Sequence, residues 1–441
     1  MENNSRRNFI RNAALTSAAG ISLPSFLQKA KAEQVIGQLK NFNHATVTDA
    51  VMDEDYWRTI RLAYSVSPSI INLNNGGVSP SPIIVQDMLD KYNRMACETP
   101  TYYMWRVMDM GREPLRENLA SLAGVSPEEV AINRNASEAL ETIIFGLNLQ
   151  AGDEVVLCKQ DYPNMMHAWS QREKRDGIKL VWIDHILPVE NDEYFTKIYA
   201  DAITAKTKVV HLTHCINWCG QFIPVRKIAD AVRAKNAAVE IVCDSAHSFC
   251  HIDFKIPDLG VDYWGTALHK WLCAPIGSGM LWVKKEKIKT LWPLFANDKP
   301  DSEDIRKFES LGTRSFPIEQ SIGYAIEFHN AIGIQKKEAR LRYLKNYWYD
   351  KVKDIPKVKL YTSQKPEYGC GIGTFYIEGM ELKDIDATLF NKYKIHTVNI
   401  EYEHFKHVRV TPNVYTQLYE LDKFVKAITE MATTAPTPSV K

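Results

Sequence analysis

The sequence predicts an α/β protein with two domains. The chain has 441 residues, of which 45% are hydrophobic and 24% are charged, so it is long enough to form two substantial cores. From about residue 78, short apolar runs alternate with amphipathic segments, which is typical of a mostly parallel sheet covered by helices on both faces. Beyond residue 300 the order changes to helices followed by separate strands, which indicates a smaller α+β domain.

The balance of charge argues against a polyanionic partner. The formal net charge is +1, and acidic and basic residues are interspersed. Such a chain presents no broad basic field to a phosphate backbone or an anionic membrane, so we expect a small-molecule ligand and no nucleic-acid partner. The eight cysteines lack the close spacing of zinc sites, and no metal site is predicted. Cys215 and Cys219 attract interest because they follow a predicted strand, where ligands bind in open α/β sheets.

The first 32 residues are similar to an export signal. Residues 5–11 resemble a twin-arginine motif, residues 13–27 are mildly apolar, and residues 30–32 form a small-x-small cleavage site. The apolar stretch is diluted by Ser, Thr and Gly and falls short of the roughly 20 apolar residues of a permanent membrane span. We expect the twin-arginine translocase to export the folded protein to the periplasm, with the mature chain starting near Glu33. A basic tail without a targeting role is the alternative.

The larger domain is predicted to span residues 76–300, and residues 33–75 are predicted to pack on the smaller domain. A helix is predicted at residues 81–96, where apolar side chains recur at helical spacing, and others at residues 137–147 and 224–237. A proline opens the last of these, as is common at the first helical turn. Apolar runs predict strands at residues 154–158, 180–183, 209–212, 239–243, 263–268 and 280–283.

The smaller domain is predicted to span residues 301–433. The polar stretch at residues 297–303 indicates a surface crossing between the domains. Residues 434–441 are rich in Pro, Thr and Ser and are predicted to form a disordered tail. Within the domain, helices are predicted near residues 318–332, 335–352 and 421–431, and strands near residues 358–361 and 372–377.

Asp244 and Lys270 are the strongest chemical signal. Each follows an apolar, strand-like run, and each lies near a histidine, His247 or His269. Lysine can hold an aldehyde cofactor as an imine, and a carboxylate can keep a pyridine nitrogen protonated so that the ring accepts electrons. The pair therefore suits pyridoxal phosphate, although a lone Lys or Asp is usually a solvated charge.

Further motifs in the same order make the pattern specific. Together with Asp244 and Lys270, the chain resembles the class V aminotransferase family of fold-type I pyridoxal phosphate enzymes, in the manner of isopenicillin N epimerase-like proteins, over about residues 70–433. The resemblance implies an aspartate aminotransferase-like fold, with a large cofactor-binding domain around a mostly parallel, seven-stranded-type sheet. The motifs are the Asn/Gly turn at residues 73–80, the polar turn at 134–140, residues 161–164, the loop at 214–221, residues 312–314 and residues 407–412.

The resemblance assigns a cofactor role to several residues. It implies that Lys270 is the catalytic residue that forms the internal aldimine and that Asp244 pairs with the pyridine nitrogen. Two departures stand out: Tyr162 occupies a position where the family often has a stacking histidine, and Ala267 replaces an expected Ser or Thr. The remaining implied cofactor contacts are Ala136 and Ser137 for phosphate, Tyr162 for stacking, His214 and Asn217 beside the ring, His247 near the phenolic oxygen and His269 for phosphate.

The resemblance also implies a homodimer and a small-molecule amino substrate. Gly312 and Thr313 are expected to reach the phosphate site of the neighbouring subunit. Arg409 is expected to bind the substrate carboxylate, because its planar fork donates two hydrogen bonds to such a group. Asn75 and Gly76 are expected to line the substrate side, and Tyr102 to lie at the entrance.

The expected reaction passes through an external aldimine and Cα deprotonation of an amino acid or amine-bearing compound. Transaminase-type chemistry is the first expectation, with a siderophore or peptide as one candidate substrate. An epimerase or racemase, or a C-S lyase, is the alternative, and a non-catalytic binding protein on the same scaffold is a third. A cysteine desulfurase is disfavoured, because residues 394–407 contain no cysteine where that group carries its nucleophile.

Overall fold

The computed structural model describes residues 35–42, 44–402 and 405–436. The predicted export signal at residues 1–32 lies outside the described residues, as do residues 437–441 of the predicted tail. Within the described ranges, no helix has both the length and the apolar character needed to cross a membrane.

Strands alternate with helices along most of the described chain. The strands are β1 Ile71–Asn72, β2 Val130–Asn133, β3 Glu154–Cys158, β4 Lys179–Ile183, β5 Thr207–Thr213, β6 Cys215–Ile216, β7 Gln221–Phe222, β8 Glu240–Asp244, β9 Tyr263–Ala267, β10 Gly279–Val283, β11 Val358–Leu360, β12 Gly373–Ile377, β13 Ile395–His396, β14 Val398–Tyr402 and β15 Phe405–Val410. The helices are α1 Val47–Met52, α2 Glu54–Arg61, α3 Ile83–Glu98, α4 Arg112–Ala123, α5 Ala136–Gly146, α6 Pro163–Asp176, α7 Asp192–Asp201, α8 Val225–Lys235, α9 Ile256–Leu259, α10 Phe316–Ile332, α11 Ile334–Val352, α12 Leu382–Tyr393 and α13 Leu418–Thr434.

A seven-stranded sheet forms the centre of the larger domain, in the order β2-β10-β9-β8-β5-β3-β4. The five strands from β9 to β4 run parallel to one another, whereas β10 is antiparallel to both of its neighbours. The inner strands are buried and rich in Val, Ile and Leu, as expected for a parallel sheet covered on both faces. The predicted α/β fold is therefore confirmed. Because parallel strands end at one edge, Thr213 of β5 and Asp244 of β8 lie side by side there.

A four-stranded antiparallel sheet, β11-β12-β15-β14, forms the smaller domain. Its core joins α11 to the C-terminal helix α13 through Trp348, Phe375 and Phe424. Strand β1 pairs in parallel with β13, so the N-terminal segment is hydrogen-bonded to this domain. The same segment also contacts α11, where Arg340 donates hydrogen bonds to the Val51 carbonyl and the Glu54 carboxylate. Its residues Trp57, Ile60 and Tyr64 belong to the core of the larger domain, so the segment packs on both domains and not on the smaller one alone as predicted.

The structure contains several elements that the sequence did not predict, among them α4, α6, α7 and α12, and it moves two predicted boundaries. Strand β2 was not predicted, because only four residues follow the acidic turn at 127–129. Residues 305–308 and helix α10 pack with the cores of the larger domain, although the predicted boundary lies at residue 300. The predicted tail begins too early: α13 continues to Thr434, whose hydroxyl donates to the Glu430 carbonyl, and Ala435 is buried.

An irregular helical segment follows α3. Residues 100–111 pass from a single helical turn through a π-helical stretch, Tyr103–Met108, to a 3-10 turn. The segment exposes three large apolar side chains, Tyr102, Trp105 and Met110, which are 56%, 48% and 70% exposed. It contacts the start of α10, where Gln320 donates a hydrogen bond to the Met108 carbonyl.

Candidate active site

A cavity of about 430 Å³ opens at the carboxyl edge of the large sheet and faces the smaller domain. Strands β5 and β8 contribute Thr213 and Asp244, and the loop after β9 contributes Lys270. Ile400 and Arg409 close the cavity from the smaller domain. The full lining consists of Gly76, Gly77, Val78, Asn135, Ala136, Ser137, Leu140, Tyr162, Met165, Thr213, Cys215, Asn217, Asp244, Ala246, His247, Ala267, His269, Lys270, Ile400 and Arg409.

The Lys270 amine lies among groups that favour its neutral form. Its Nζ is 2.9 Å from His247 Nε2 and 5.9 Å from the centre of the Tyr162 ring. Burial lowers the pKa of Lys270 to about 8, and the nearby Arg409 charge acts in the same direction while Asp244 opposes it. The lowered pKa increases the uncharged fraction of this amine near neutral pH, and the uncharged form is the one that a nucleophile or a base requires.

Asp244 presents a buried carboxylate at the end of β8. Its Oδ1 accepts a hydrogen bond of 2.9 Å from the Ala246 amide. Burial raises the pKa of Asp244, which the Ala246 hydrogen bond and the Lys270 charge only partly offset. A cationic ligand atom placed against this carboxylate would relieve the cost of burying it, and a protonated pyridine nitrogen is such an atom.

The first turn of α5 provides an anion-binding position. Asn135 caps the helix, accepting a hydrogen bond of 2.9 Å from the Glu138 amide, and Ala136 and Ser137 follow in the cavity lining. The first amides of a helix have no intrahelical acceptor, and the helix dipole favours an anion at this end. Strand β10 passes very close: a Cβ at Gly279 would lie 2.6 Å from the Asn135 backbone. Glycine at this position therefore lets the turn sit against the sheet.

Arg409 brings a buried guanidinium to the opposite wall. It donates a hydrogen bond of 2.9 Å to the Asn217 carbonyl and one of 3.1 Å to Asn74 Oδ1. Burial lowers the pKa of Arg409 to about 10, with Cys215 and Tyr162 opposing the decrease. Both of its hydrogen-bond acceptors are neutral, so the site suits a ligand carboxylate.

Gly76 lines the cavity, but Asn75 does not. The Gly76 amide donates a hydrogen bond of 2.8 Å to Thr411 Oγ1. The Asn75 side chain donates to the Thr411 carbonyl at 2.8 Å and accepts from the Tyr415 hydroxyl at 2.6 Å. The Asn75 side chain thus holds the turn against the smaller domain, and its predicted substrate contact stays a prediction.

Four other predicted residues lie outside this lining. His214 is buried edge-on against Phe222 and Phe254, and its expected position beside the cofactor ring stays a prediction. Tyr102 is exposed just before the π-helical stretch and does not line the cavity of its own chain. Gly312 and Thr313 are exposed in the loop before α10, and Thr313 lines a separate cavity with Arg134. A role at a neighbouring subunit's site stays a prediction for this loop.

The remaining predicted residues do meet in the cavity, namely Ala136, Ser137, Tyr162, Asn217, Asp244, His247, His269, Lys270, Gly76 and Arg409. Three buried polar atoms of this group, His247 Nδ1, Asn217 Oδ1 and Arg409 Nε, have no hydrogen-bond partner among the described residues. Buried polar atoms in this state indicate a polar ligand. Together with the acid, the amine and the helix terminus, they fit pyridoxal phosphate.

Some lining residues were not predicted as site residues. Thr213 could have been found, because it ends β5 at the edge that carries Asp244, and its hydroxyl donates to Asp161 at 2.6 Å. Cys215 was noted only for following a strand. Ile400 gave no signal, since an isoleucine in a strand is normally a core residue. In the described ranges, no group of His, Cys, Asp and Glu is arranged to hold a metal ion.

An open α/β sheet whose carboxyl edge carries a lysine with a lowered pKa, a buried acid and a helix terminus for phosphate defines a fold-type I pyridoxal phosphate enzyme. The aminotransferase class V family model matches residues 73–399, and the chain belongs to this family. Its cofactor is pyridoxal phosphate.

Similar proteins include enzymes of different reaction types. Isopenicillin N epimerase of Streptomyces clavuligerus is 24% identical over 390 residues, covering 84% of this chain and 97% of the epimerase. A probable cysteine desulfurase of Halalkalibacterium halodurans is 26% identical over 341 residues, covering 73% of this chain and 80% of that protein. A solved mutant of the lyase C-DES, with glycine covalently linked to its pyridoxal phosphate cofactor, has a TM-score of 0.76 at 19% identity and covers 84% of this chain and 99% of its own.

Proposed function

We propose that this protein removes the Cα proton of an amino acid or related amine-bearing compound, with transaminase-type turnover as the first candidate. The observation that carries the proposal is the meeting of Lys270, Asp244 and Arg409 in one interdomain cavity. Pyridoxal phosphate, when bound, supplies an electron-withdrawing ring that makes a Cα proton of the bound amine acidic.

Arg409 is proposed to bind and orient the substrate. Its fork can donate two hydrogen bonds to a carboxylate, and Asn74 and Asn217 hold the guanidinium in place. Because the guanidinium is buried, the interaction is little screened by solvent. An amino acid would therefore bind with its carboxylate towards the smaller domain and its amine towards Lys270.

Lys270 is proposed to take the proton. Its lowered pKa leaves the amine uncharged in part near neutral pH, and His247 Nε2 at 2.9 Å fixes the direction of Nζ. Asp244, on the neighbouring strand, is proposed to hold the pyridine nitrogen in its protonated form.

Epimerisation or C-S bond cleavage is the second candidate. Two curated relatives are isopenicillin N epimerases, and one solved neighbour is described as a cystine C-S lyase. The Cys215 thiol also lines the cavity, and burial raises its pKa, so it is a protonated group that an epimerase could use to return a proton. Cys370, in contrast, is buried outside the cavity lining with its pKa raised to about 12, which disfavours it as a desulfurase nucleophile.

A panel of amino acids and peptides in deuterated water separates these reactions. Conversion of bound pyridoxal phosphate to pyridoxamine phosphate supports transamination, deuterium at Cα without that conversion supports epimerisation, and release of a sulfur product supports C-S cleavage. Borohydride reduction and peptide mapping should place a pyridoxyl tag on Lys270, and Lys270→Ala should lose it. A wild-type protein that stays colourless with added pyridoxal phosphate would contradict the proposal and favour a non-catalytic binding protein.

A homodimer is also proposed. The irregular segment at residues 100–111 and the loop at residues 312–315 lie together, since Arg314 Nη2 is 3.8 Å from Asp109 Oδ1. Exposed Tyr102, Trp105 and Met110 lie on this side of the molecule and would be covered by a second subunit. Sedimentation analysis should give a dimer, and Trp105→Glu should weaken it. A monomer that binds the cofactor and turns over substrate would contradict this proposal.

Export by the twin-arginine translocase remains a proposal that rests on residues 5–32. Fusion of residues 1–40 to a reporter that is active only after export tests it. We expect export with the natural segment and loss of export when both Arg6 and Arg7 are replaced by lysine. Equal export by the two fusions would refute a twin-arginine route.

A further inference from the structure

A buried histidine outside the cavity lining connects the two sides of the site. His251 lies four residues after His247 in the series of turns that follows β8. Its ring is fully buried and lines neither the cavity nor the surface. Both ring nitrogens nevertheless have backbone partners in different domains.

The two partners fix the tautomer of His251. Nε2 lies 2.9 Å from the Gly371 amide, which can only donate, so Nε2 is the acceptor. Nδ1 lies 2.7 Å from the His247 carbonyl, which can only accept, so Nδ1 carries the proton. Burial lowers the pKa of His251 to about 3, so the ring keeps this neutral form at physiological pH.

The face of the same ring contacts the residue after Lys270. The His251 and Trp271 rings are stacked with centroids 3.7 Å apart and planes 8° apart. The indole is completely buried, so it cannot shift without repacking the core. His251 therefore contacts the His247 backbone and the side chain next to Lys270, the two residues whose side chains meet in the cavity.

On the far side, Gly371 leads to the strand pair that carries Arg409. Strand β12 begins at Gly373, and Thr374 is paired with Arg409 on β15. The approach at Gly371 is close, because a Cβ there would lie 3.0 Å from His251 Nε2. One ring thus spans from the lysine side of the cavity to the arginine side.

We propose that His251 is a positioning residue that fixes the Lys270 amine relative to the Arg409 guanidinium. The proposal rests on the proposed function, in which one group removes the proton and the other binds the carboxylate. A misplacement of about 1 Å between reacting groups can reduce a rate by roughly 100-fold. We call the two His251 hydrogen bonds, to the His247 carbonyl and from the Gly371 amide, the bridge. Loss of the bridge should lower kcat much more than it raises KM, because Arg409 keeps its own contacts to Asn74 and Asn217.

Two substitutions at position 251 separate positioning from packing. His251→Phe keeps the ring and its stacking but removes both hydrogen bonds, and we expect kcat to fall by roughly 10- to 100-fold with KM within about threefold. His251→Gln loses the ring, but its carbonyl can accept from the Gly371 amide, and we expect it to retain more of kcat than the Phe variant. If His251 only fills space, the order is reversed. Wild-type kcat in His251→Phe would overturn the proposal.

Gly371→Ala keeps the test open if both variants misfold. The added methyl group would lie 3.0 Å from His251 Nε2 and 3.1 Å from Leu341 Cβ, so one of these neighbours must shift. We expect kcat to fall with little change in KM. Gly323→Ala on α10 is the matched control, because a Cβ there meets no atom within 4 Å. A wild-type kcat in Gly371→Ala would overturn the proposal, as would a wild-type kcat in His251→Phe.

Hydrogen exchange of the cofactor-free protein tests the bridge without any activity. The peptide that contains Gly371 should exchange about five- to tenfold faster in His251→Phe, as expected for loss of one buried hydrogen bond, and at the wild-type rate in Gly323→Ala. Unchanged exchange in the Phe variant would overturn the proposal. If wild-type protein fails to bind pyridoxal phosphate while exchange responds as expected, the proposed function fails and the bridge stands.

Discussion

Replacement of Arg409 by methionine tests whether the smaller-domain wall of the cavity binds the substrate carboxylate. Methionine is similar in length but cannot bind a carboxylate. Two hydrogen bonds to a charged group contribute about 1.5–3 kcal/mol each, so the loss is about 3–6 kcal/mol. At about 1.4 kcal/mol for each factor of ten, kcat/KM should fall by roughly 10²- to 10⁴-fold.

The assay compares an amino acid that the enzyme turns over with the corresponding amine that lacks the carboxylate. With the amine, kcat/KM of Arg409→Met should equal that of the wild type. With the amino acid, kcat/KM of Arg409→Lys should lie between those of the wild type and Arg409→Met, because lysine keeps the charge but not the planar fork. Thermal stability should be unchanged or higher, since a buried charge whose hydrogen-bond acceptors are neutral is costly. An equal loss with both substrates would refute carboxylate binding by Arg409.

Three further results are expected. In the cofactor-free protein, the free energy of unfolding should rise between about pH 8, the lowered pKa of Lys270, and pH 10.5, its ordinary pKa. The reason is that the unfolded chain binds more protons than the folded one in this window. Denaturant titration at several pH values checks this, and the rise should be smaller in Lys270→Met. Gly279→Ala should destabilise the protein by about 1–3 kcal/mol and weaken binding of pyridoxal phosphate, because its methyl group would overlap the Asn135 backbone; calorimetry with Gly323→Ala as control checks this. Asp244→Asn should bind the cofactor roughly 100-fold more weakly, yet stabilise the cofactor-free protein because a buried carboxylate is removed; fluorescence titration showing equal affinity would contradict the pyridine contact.

The parallel sheet was predictable because most of its strands contain short apolar runs that can be recognised in the sequence. Strands β3, β5 and β8 are continuous apolar runs, and the residues that end them, including Asp244, are brought together by the geometry of parallel strands. Strand β2 is too short to show a pattern, and its place at the sheet edge depends on pairing with β10. Local sequence does not encode such a partner.

The candidate site was predictable where a residue type has a specific chemical use. Lys270, Asp244 and Arg409 are of this kind, and all three line the cavity. Asn75 and His214 lie outside the cavity lining although sequence neighbours of each line it, because their own side chains contact the smaller domain or an aromatic cluster. Which of two adjacent side chains points into a cavity depends on tertiary packing that one sequence does not reveal.

The pairing of β1 with β13 also constrains the order in which the molecule is assembled. The Gly76 turn follows β1, and its partner strand lies beyond residue 394, near the end of the chain. A nascent chain that has not reached this point already contains the lysine, the acid and the helix terminus of the cofactor half. The surface that selects the substrate is then still incomplete. Completion of the substrate side must therefore wait for the last part of the chain, since contacts across so long a loop form late and slowly.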